Sequence, residues 1–251
     1  MAGQICPSYV LVDVLVSIQL FVPKSGCCIM NFYRRKLPHW QPHGAEYFVT
    51  FRLAGSIPKK VITKLKAEKE QLFGKYVANQ DSTEEVSDIP LKIHKYIFKK
   101  YDDYLDDHVI GPTWLAEKEV AKVVTEAIYF RDDRVYELYA YCIMPNHVHL
   151  VFRLLNAKSI NPEENEDFPV TKILHGLKWY SALKANRVLG RTGNSFWQSE
   201  SYDHVIRDTE ELERIIFYTL YNPVKAGLID GWEDWPFSYC KPEFRERFSQ
   251  P

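Results

Sequence analysis

Tyr139-Ala140-Tyr141-Cys142-Ile143-Met144-Pro145-Asn146-His147-Val148-His149-Leu150-Val151-Phe152 reads as two strands joined by a turn. Val135–Ile143 is β-branched and aromatic, which favours a pleated, half-buried surface. Met144-Pro145-Asn146 interrupts the run, because proline has no N–H to give to a central ladder. His147–Leu154 then forms the returning strand, so an antiparallel pair is expected. Successive side chains on a strand face opposite ways. Val148, Leu150 and Phe152 therefore point into a core, and His147 and His149 share the other face. Residues two apart on a strand lie about 6.6–6.8 Å from each other, near enough for both imidazoles to converge on one metal ion. The pair is equally compatible with two ordinary histidines on a half-exposed strand, so the rest of the chain has to decide.

Outward from this hairpin, Glu46–Leu53 alternates, with Phe48 and Thr50 on one face and Tyr47, Val49 and Phe51 on the other, a strand signal. Pro58 opens a helical stretch through Val61, Leu65 and Leu72. Ala78–Pro90 is polar and reads as a surface loop, and a tyrosine-rich segment, Ile93–Leu105, follows it. Gly111-Pro112 breaks that segment, and Leu115–Phe130 has helical spacing in Val120, Val123, Val124 and Ile128. Beyond the hairpin comes an acidic loop over Asn161–Asp167, then a long helix over Val170–Leu189, closed by Gly190. The last clear helix starts at Asp208 or Thr209, with Glu211 at capping-box spacing. Leu212, Ile215, Ile216 and Leu220 give it an apolar face, and Pro223 is expected to stop it. The order is strand, helices, strand, strand, helix, helix. It predicts an α+β fold, one antiparallel sheet with helices packed on it.

Composition bounds the function less than the motifs do. The chain has 251 residues, 46% of them hydrophobic, which predicts a folded globular protein. Its 32 basic and 33 acidic residues leave a net charge of -1, so any contact with nucleic acid must come from local charge. The 5 cysteines have no CxxC pair and read as reduced, intracellular thiols. Tyr9–Val22 is nearly apolar but too short for a membrane span of about 20 residues, and no basic region precedes it. Composition changes abruptly after Met30. Residues 1–29 are therefore read as an N-terminal extension outside the functional chain, and 30–251 as one catalytic domain.

Several separated motifs, in one order, resemble the REP-associated tyrosine transposases, a branch of the single-tyrosine HUH transposases. Tyr139–Phe152 is similar to their HUH strand. Arg34-Arg35-Lys36-Leu37-Pro38-His39-Trp40, followed by Tyr47-Phe48-Val49-Thr50-Phe51, is similar to their opening strand. Gly190-Arg191-Thr192-Gly193 with Phe196-Trp197-Gln198 resembles their middle, and Tyr218 through Tyr221-Asn222-Pro223-Val224-Lys225-Ala226-Gly227-Leu228 their closing motif. The resemblance spans roughly Met30–Pro236. It implies a ferredoxin-like fold, a divalent ion (Mg2+ or Mn2+) on His147 and His149, and a tyrosine nucleophile on a later helix. By motif the nucleophile is Tyr218. Asn222, one helical turn on, is the implied third ligand. Tyr180, in Leu177–Ser181, is the competing tyrosine, and the family pattern places it on the preceding helix.

The implied reaction is cleavage and rejoining of single-stranded DNA beside hairpins or inverted repeats. The enzyme would be cytoplasmic and nucleoid-associated, a monomer or a dimer, with no membrane partner. Between Val170 and Arg207, Lys172, Lys178, Lys184, Arg187, Arg191 and Arg207 are opposed only by Glu200 and Asp203. Lys184, Arg187 and Arg191 share one helical face, a stripe that can follow phosphates. Lys178, Trp197 and Gln198 extend the candidate DNA surface, and Arg34 and Arg35 add a second arm. His175 and His204 read as structural or DNA-facing. Two other readings compete: a hairpin-binding module that no longer cuts, and a zinc hydrolase using His147, His149 and Cys142. The zinc reading is weakened by the five-residue gap from Cys142 to His147 across a turn.

Overall fold

The computed structural model describes residues 32–34, 38–40, 44–78, 89–106, 111–155 and 169–248. The expected extension over 1–29, most of the polar loop over Ala78–Pro90, the acidic loop over Asn161–Asp167, and Arg35 lie outside these residues. Arg34 is described only as backbone. Phe32–Arg34 (β1) and Pro38–Trp40 (β2) form a small antiparallel pair of their own. The segment expected to open the main sheet is thus separate from it, and the sheet starts at Glu46–Leu53 (β3).

The main elements then follow in chain order. Lys59–Ala78 is α1, Ile89–Asp106 is α2 and Lys118–Tyr129 is α3. Tyr136–Ile143 (β4) and His147–Leu154 (β5) are the expected hairpin, and Pro169–Val188 is α4. Trp197–Ile206 is β6, Thr209–Lys225 is α5, and Ser238–Cys240 (β7) and Pro242–Phe248 (α6) close the described chain. The five-stranded sheet is ordered β6-β3-β5-β4-β7, with every neighbouring pair antiparallel. Setting β7 aside as an added edge, β3, helices, β4, β5, α4 and β6 make a βαββαβ path. Its fourth strand lies beside its first and its third between first and second, which is the ferredoxin-like order that the family resemblance implies.

The two sheet faces carry different chemistry. Tyr47, Val49, Phe51, Val148, Leu150 and Phe152 face α3 and α4 in one fully buried apolar cluster. Register places Thr50 and Cys142 on either side of His149, and Phe48 beside Val151. This second face is closed by Leu212, Ile216 and Leu220 of α5 and by Phe98 of α2. The fold therefore sorts the alternation of β5 as expected, with the apolar set under one helical layer and the histidines under the other.

Three elements depart from the sequence reading. β6 is a strand that the sequence reading does not contain: Gln198-Ser199-Glu200-Ser201-Tyr202-Asp203-His204 lacks apolar alternation, and as an edge strand paired to β3 it stays partly exposed. The tyrosine-rich segment is helical throughout as α2. Helix α5 runs through Pro223 to Lys225, a correction to the expected stop. Proline removes one N–H and crowds the carbonyl four residues back. Here it falls in the last turn, where the N–H of Ala226 still reaches Asn222 O at 3.0 Å and Gly227, at φ 67°, ends the helix in the left-handed region. The start of α5 is as expected, with Asp208 Oδ1 accepting from Glu211 N at 2.7 Å.

Candidate metal and nucleophile site

The site begins with the imidazoles of β5. Both are fully buried, and their Nε2 atoms face each other at 3.0 Å. Each Nδ1 is already engaged. His147 Nδ1 lies 2.6 Å from Asn146 Oδ1, and Asn146 Nδ2 donates to Leu105 O at 2.7 Å, so the amide oxygen must face the histidine. The His147 proton therefore sits on Nδ1. Thr50 Oγ1 lies 2.8 Å from His149 Nδ1 and, as a hydroxyl, can accept from that ring in the same way. Both Nε2 lone pairs are thereby aimed into one space, the arrangement by which outer partners orient histidine ligands. Burial, and then the positive charge of Lys225, lower the His149 pKa to about 3, which keeps that ring neutral and able to ligate.

A third group completes the cluster. Asp102 of α2 is buried, its Oδ1 lies 3.4 Å from His149 Nε2, and Asp102, His147 and His149 can offer atoms to one ion. Among the described residues no other such group of histidines, cysteines and acids occurs, and Cys142 is not part of it. Burial pushes the Cys142 thiol far above its ordinary range, and the zinc reading fails on geometry, because Cys142 offers no atom to the cluster.

The fit to a divalent cation can be judged on three features. A separation of 3.0 Å between the two nitrogens is about that of neighbouring ligands in an octahedron with bonds of about 2.1 Å. Asp102 Oδ1 is buried without a hydrogen-bond partner, as are both polar atoms of the Asn222 side chain. Such orphaned groups are costly unless something supplies their partner. The donor set of two imidazole nitrogens with a carboxylate suits a divalent cation.

Tyr218 stands beside this cradle. Its ring centroid is 5.6 Å from that of His149 and 6.0 Å from Phe48, and its hydroxyl donates to Asp102 Oδ2. Burial first, and then the negative charge of Asp102, push the Tyr218 hydroxyl far above its ordinary pKa. Lys225, two turns along α5, reaches Asp106 Oδ2 at 2.7 Å and Asp102 Oδ2 at 3.4 Å and offsets part of that charge. Asn222, between them on α5, is fully buried. Tyr180 sits elsewhere: it is on α4 and packs against the apolar cluster on the opposite sheet face.

The candidate DNA residues divide. Lys184 and Arg187 are exposed on α4, and Gln198 is partly exposed on β6. Arg191 lays its guanidinium over the Trp114 ring, 3.8 Å from the centroid. Trp197 is a correction. It is buried, packs edge-on against Phe51 at 4.9 Å and donates from Nε1 to Ser181 Oγ at 2.9 Å, so it ties α4 to the sheet. Lys178 is also spent inside the fold, donating to Gln198 O at 2.9 Å and Ser201 Oγ at 2.6 Å. Its burial lowers its pKa to about 8. Helix α4 lies against the face away from the histidines. His175 is exposed on α4, whereas His204 pairs with Glu211 at 3.1 Å and is structural. Among the described residues no helix is long and apolar enough to cross a membrane.

Sequence reasoning missed Asp102, Thr50 and Lys225. Asp102 had a readable signal: it occupies the stripe Phe98, Asp102, Leu105 of α2, where an apolar residue is expected.

A ferredoxin-like sheet that carries a histidine pair two residues apart, under a helix bearing a tyrosine, has the form of an HUH domain. The relatives found by comparison are REP-associated tyrosine transposases. A Haemophilus influenzae protein carrying that name is 32% identical over 110 residues, 41% of this chain and 58% of that protein. The Escherichia coli K12 REP-associated tyrosine transposase is 30% identical over 112 residues, 44% of this chain and 58% of its own length. The chain thus matches little more than half the length of these curated relatives. A solved REP-associated tyrosine transposase bound to a REP hairpin superposes over 82% of this chain and 80% of its own, with a TM-score of 0.41 and 18% identity. No family model matches the chain.

Proposed function

We propose that this protein is a transposase-type nuclease that cuts and rejoins single-stranded DNA beside hairpins, with Tyr218 as nucleophile and a divalent cation held by His147 and His149. Asn222 is the further ligand drawn from α5. The single observation that carries this reading is the position of Tyr218, with its ring against His149 and its hydroxyl in the same buried cradle as both imidazoles. The relatives' name points the same way, and the solved relative holds a hairpin.

The chemistry required is narrow. A phosphodiester is anionic and repels nucleophiles. A bound divalent cation would withdraw charge from the non-bridging oxygens and lower the barrier to attack. Thr50 and Asn146 keep both Nε2 atoms aimed into the cradle. Tyr218 is held by its ring packing, which reduces the freedom lost on reaching an in-line geometry. Its oxygen forms a bond to phosphorus as the bond to the leaving sugar oxygen breaks. The phenolic proton passes to solvent, and the leaving sugar oxygen takes up a proton from solvent and ends as a free hydroxyl. The phosphotyrosine keeps the bond energy, so strands can be rejoined. Lys184 and Arg187, with Arg34 and Arg35, are the proposed phosphate contacts.

The test is cleavage of a single-stranded hairpin oligonucleotide with unpaired flanks, against the same sequence as full duplex, in Mg2+ or Mn2+. Cleavage of the single strand alone, abolished by excess chelator and by His147→Ala or His149→Ala, is expected. Equal rates on duplex, or full activity in chelator, would overturn the reading.

A further inference from the structure

Helix α2 interrupts the βαββαβ path between β3 and α3, and nothing in the expected ligand set draws on it. Yet its Asp102 lies at the centre of the site. Helix α2 is anchored at separate points. Leu105 O accepts from Asn146 Nδ2 at 2.7 Å, Phe98 stacks on Tyr202 at 4.0 Å, and Lys95 pairs with Glu211 at 2.6 Å. These contacts hold the last turns of α2 against the histidine face, so the Asp102 side chain is aimed inward. Its neighbour Asp103 is half exposed and pairs with Lys225 at 3.3 Å.

The two carboxylate oxygens of Asp102 have different surroundings. Oδ2 accepts from the Tyr218 hydroxyl and lies 3.4 Å from Lys225 Nζ. Oδ1 has no hydrogen-bond partner and faces His149 Nε2 at 3.4 Å. A carboxylate whose only task was to neutralise Lys225 would not leave one oxygen buried and unpartnered against an imidazole. We propose that Asp102 joins the two halves of the site: Oδ1 completes the ligand set of His147 and His149, while Oδ2 positions the Tyr218 hydroxyl. This rests on the reading of the site as a cation cradle beside a tyrosine nucleophile. Its consequence is that cation and nucleophile share one rigid carboxylate. A carboxylate also brings a negative charge that Asn222 lacks, which binds a hard divalent cation more firmly than an amide does.

The test uses the full chain and Mn2+ as the probe, with bound and free Mn2+ counted by electron paramagnetic resonance and thermal melting followed in parallel. Asp102→Asn is isosteric and keeps an oxygen that can accept from Tyr218, whereas Asp102→Ala removes both functions. The expected result is that wild type binds Mn2+ and that both variants lose at least about tenfold in affinity. At saturating Mn2+, Asp102→Asn should form the covalent DNA adduct faster than Asp102→Ala, because the hydroxyl keeps its acceptor. A role confined to folding would lower the melting temperature and leave Mn2+ affinity unchanged. Wild-type-like affinity in Asp102→Asn, with wild-type binding intact, would therefore overturn the inference while leaving the proposed function standing. Absence of Mn2+ binding by wild type would remove the cation cradle itself, and the inference with it.

Discussion

Thr50→Val is a nearly isosteric change that reaches the site through one atom. Thr50 is buried in the middle of β3, opposite His149, and its hydroxyl is the partner of His149 Nδ1 at 2.8 Å. Valine fills the same space without an acceptor. The buried ring then has two choices. It can keep its proton on Nδ1 with no partner, at a cost of about 1–3 kcal/mol. It can instead move the proton to Nε2, which removes the lone pair facing His147 and Asp102. Either route weakens ligation by His149. Loss of such an outer partner typically lowers metal affinity about 10- to 100-fold, or about 1.4–2.7 kcal/mol. Without metal, the first route lowers the melting temperature by about 2–12 °C at the ~2–4 °C per kcal/mol usual for a chain of this size. Mn2+ titration alongside melting curves measures both quantities. Cleavage by the variant should be weak at limiting Mn2+ and should recover as Mn2+ is raised. A lowered melting temperature with wild-type Mn2+ affinity would refute the reasoning, because Thr50 would then be a packing partner only.

Three further outcomes are expected. Tyr218→Phe keeps the ring against His149 and Phe48 and should abolish DNA cleavage with hairpin affinity unchanged, whereas Tyr180→Phe, on the opposite face, should still cut. Burial alone would raise the Glu211 pKa, but Lys95, His204 and the Arg207 N–H bring it down from 4.5 to about 2. A depressed folded-state value means stability that is present above pH 4.5 and lost as pH falls toward 2. Glu211→Gln should thus be less stable at pH 7 by about 2 kcal/mol, allowing for partial screening, and should show a flatter loss of stability in acid; an unchanged acid limb in urea melts at stepped pH would contradict this. Paired Lys184→Glu and Arg187→Glu should weaken hairpin binding and reduce its salt dependence by about 2 in slope, with no change in adduct formation at saturating DNA; an unchanged slope in a salt titration would place DNA elsewhere.

How much of this was readable in the chain depended on which signals are local. The β4–β5 hairpin was legible because Val148, Leu150 and Phe152 alternate with His147 and His149, and a one-residue period error would have buried the wrong set. The cap at Asp208 and the apolar face of α5 were equally local. β6 was hidden because an edge strand needs to bury little, and Ser199–His204 accordingly lacks an apolar face. Pro223 misled because its cost depends on its place in the helix, which only the surrounding turn reveals. Trp197 was read as a DNA aromatic, although its neighbours Phe51 and Ser181 are distant in sequence. Asp102 and Tyr218 are likewise far apart in the chain and meet only when α2 is laid on the histidine face. Charge was informative locally, yet the stripe on α4 proved to lie on the face away from the cradle, so its distance from the chemistry could not be read from residue spacing.

The most direct test of the central claim is to trap the wild-type protein on a single-stranded hairpin oligonucleotide, digest it with trypsin and locate the adduct by fragment-ion mass spectrometry. The peptide Ile215–Lys225 contains both Tyr218 and Tyr221, so fragmentation must separate them. A nucleotide adduct on Tyr218 is predicted. An adduct on Tyr221 or Tyr180, or cleavage with no adduct on any tyrosine, would contradict it.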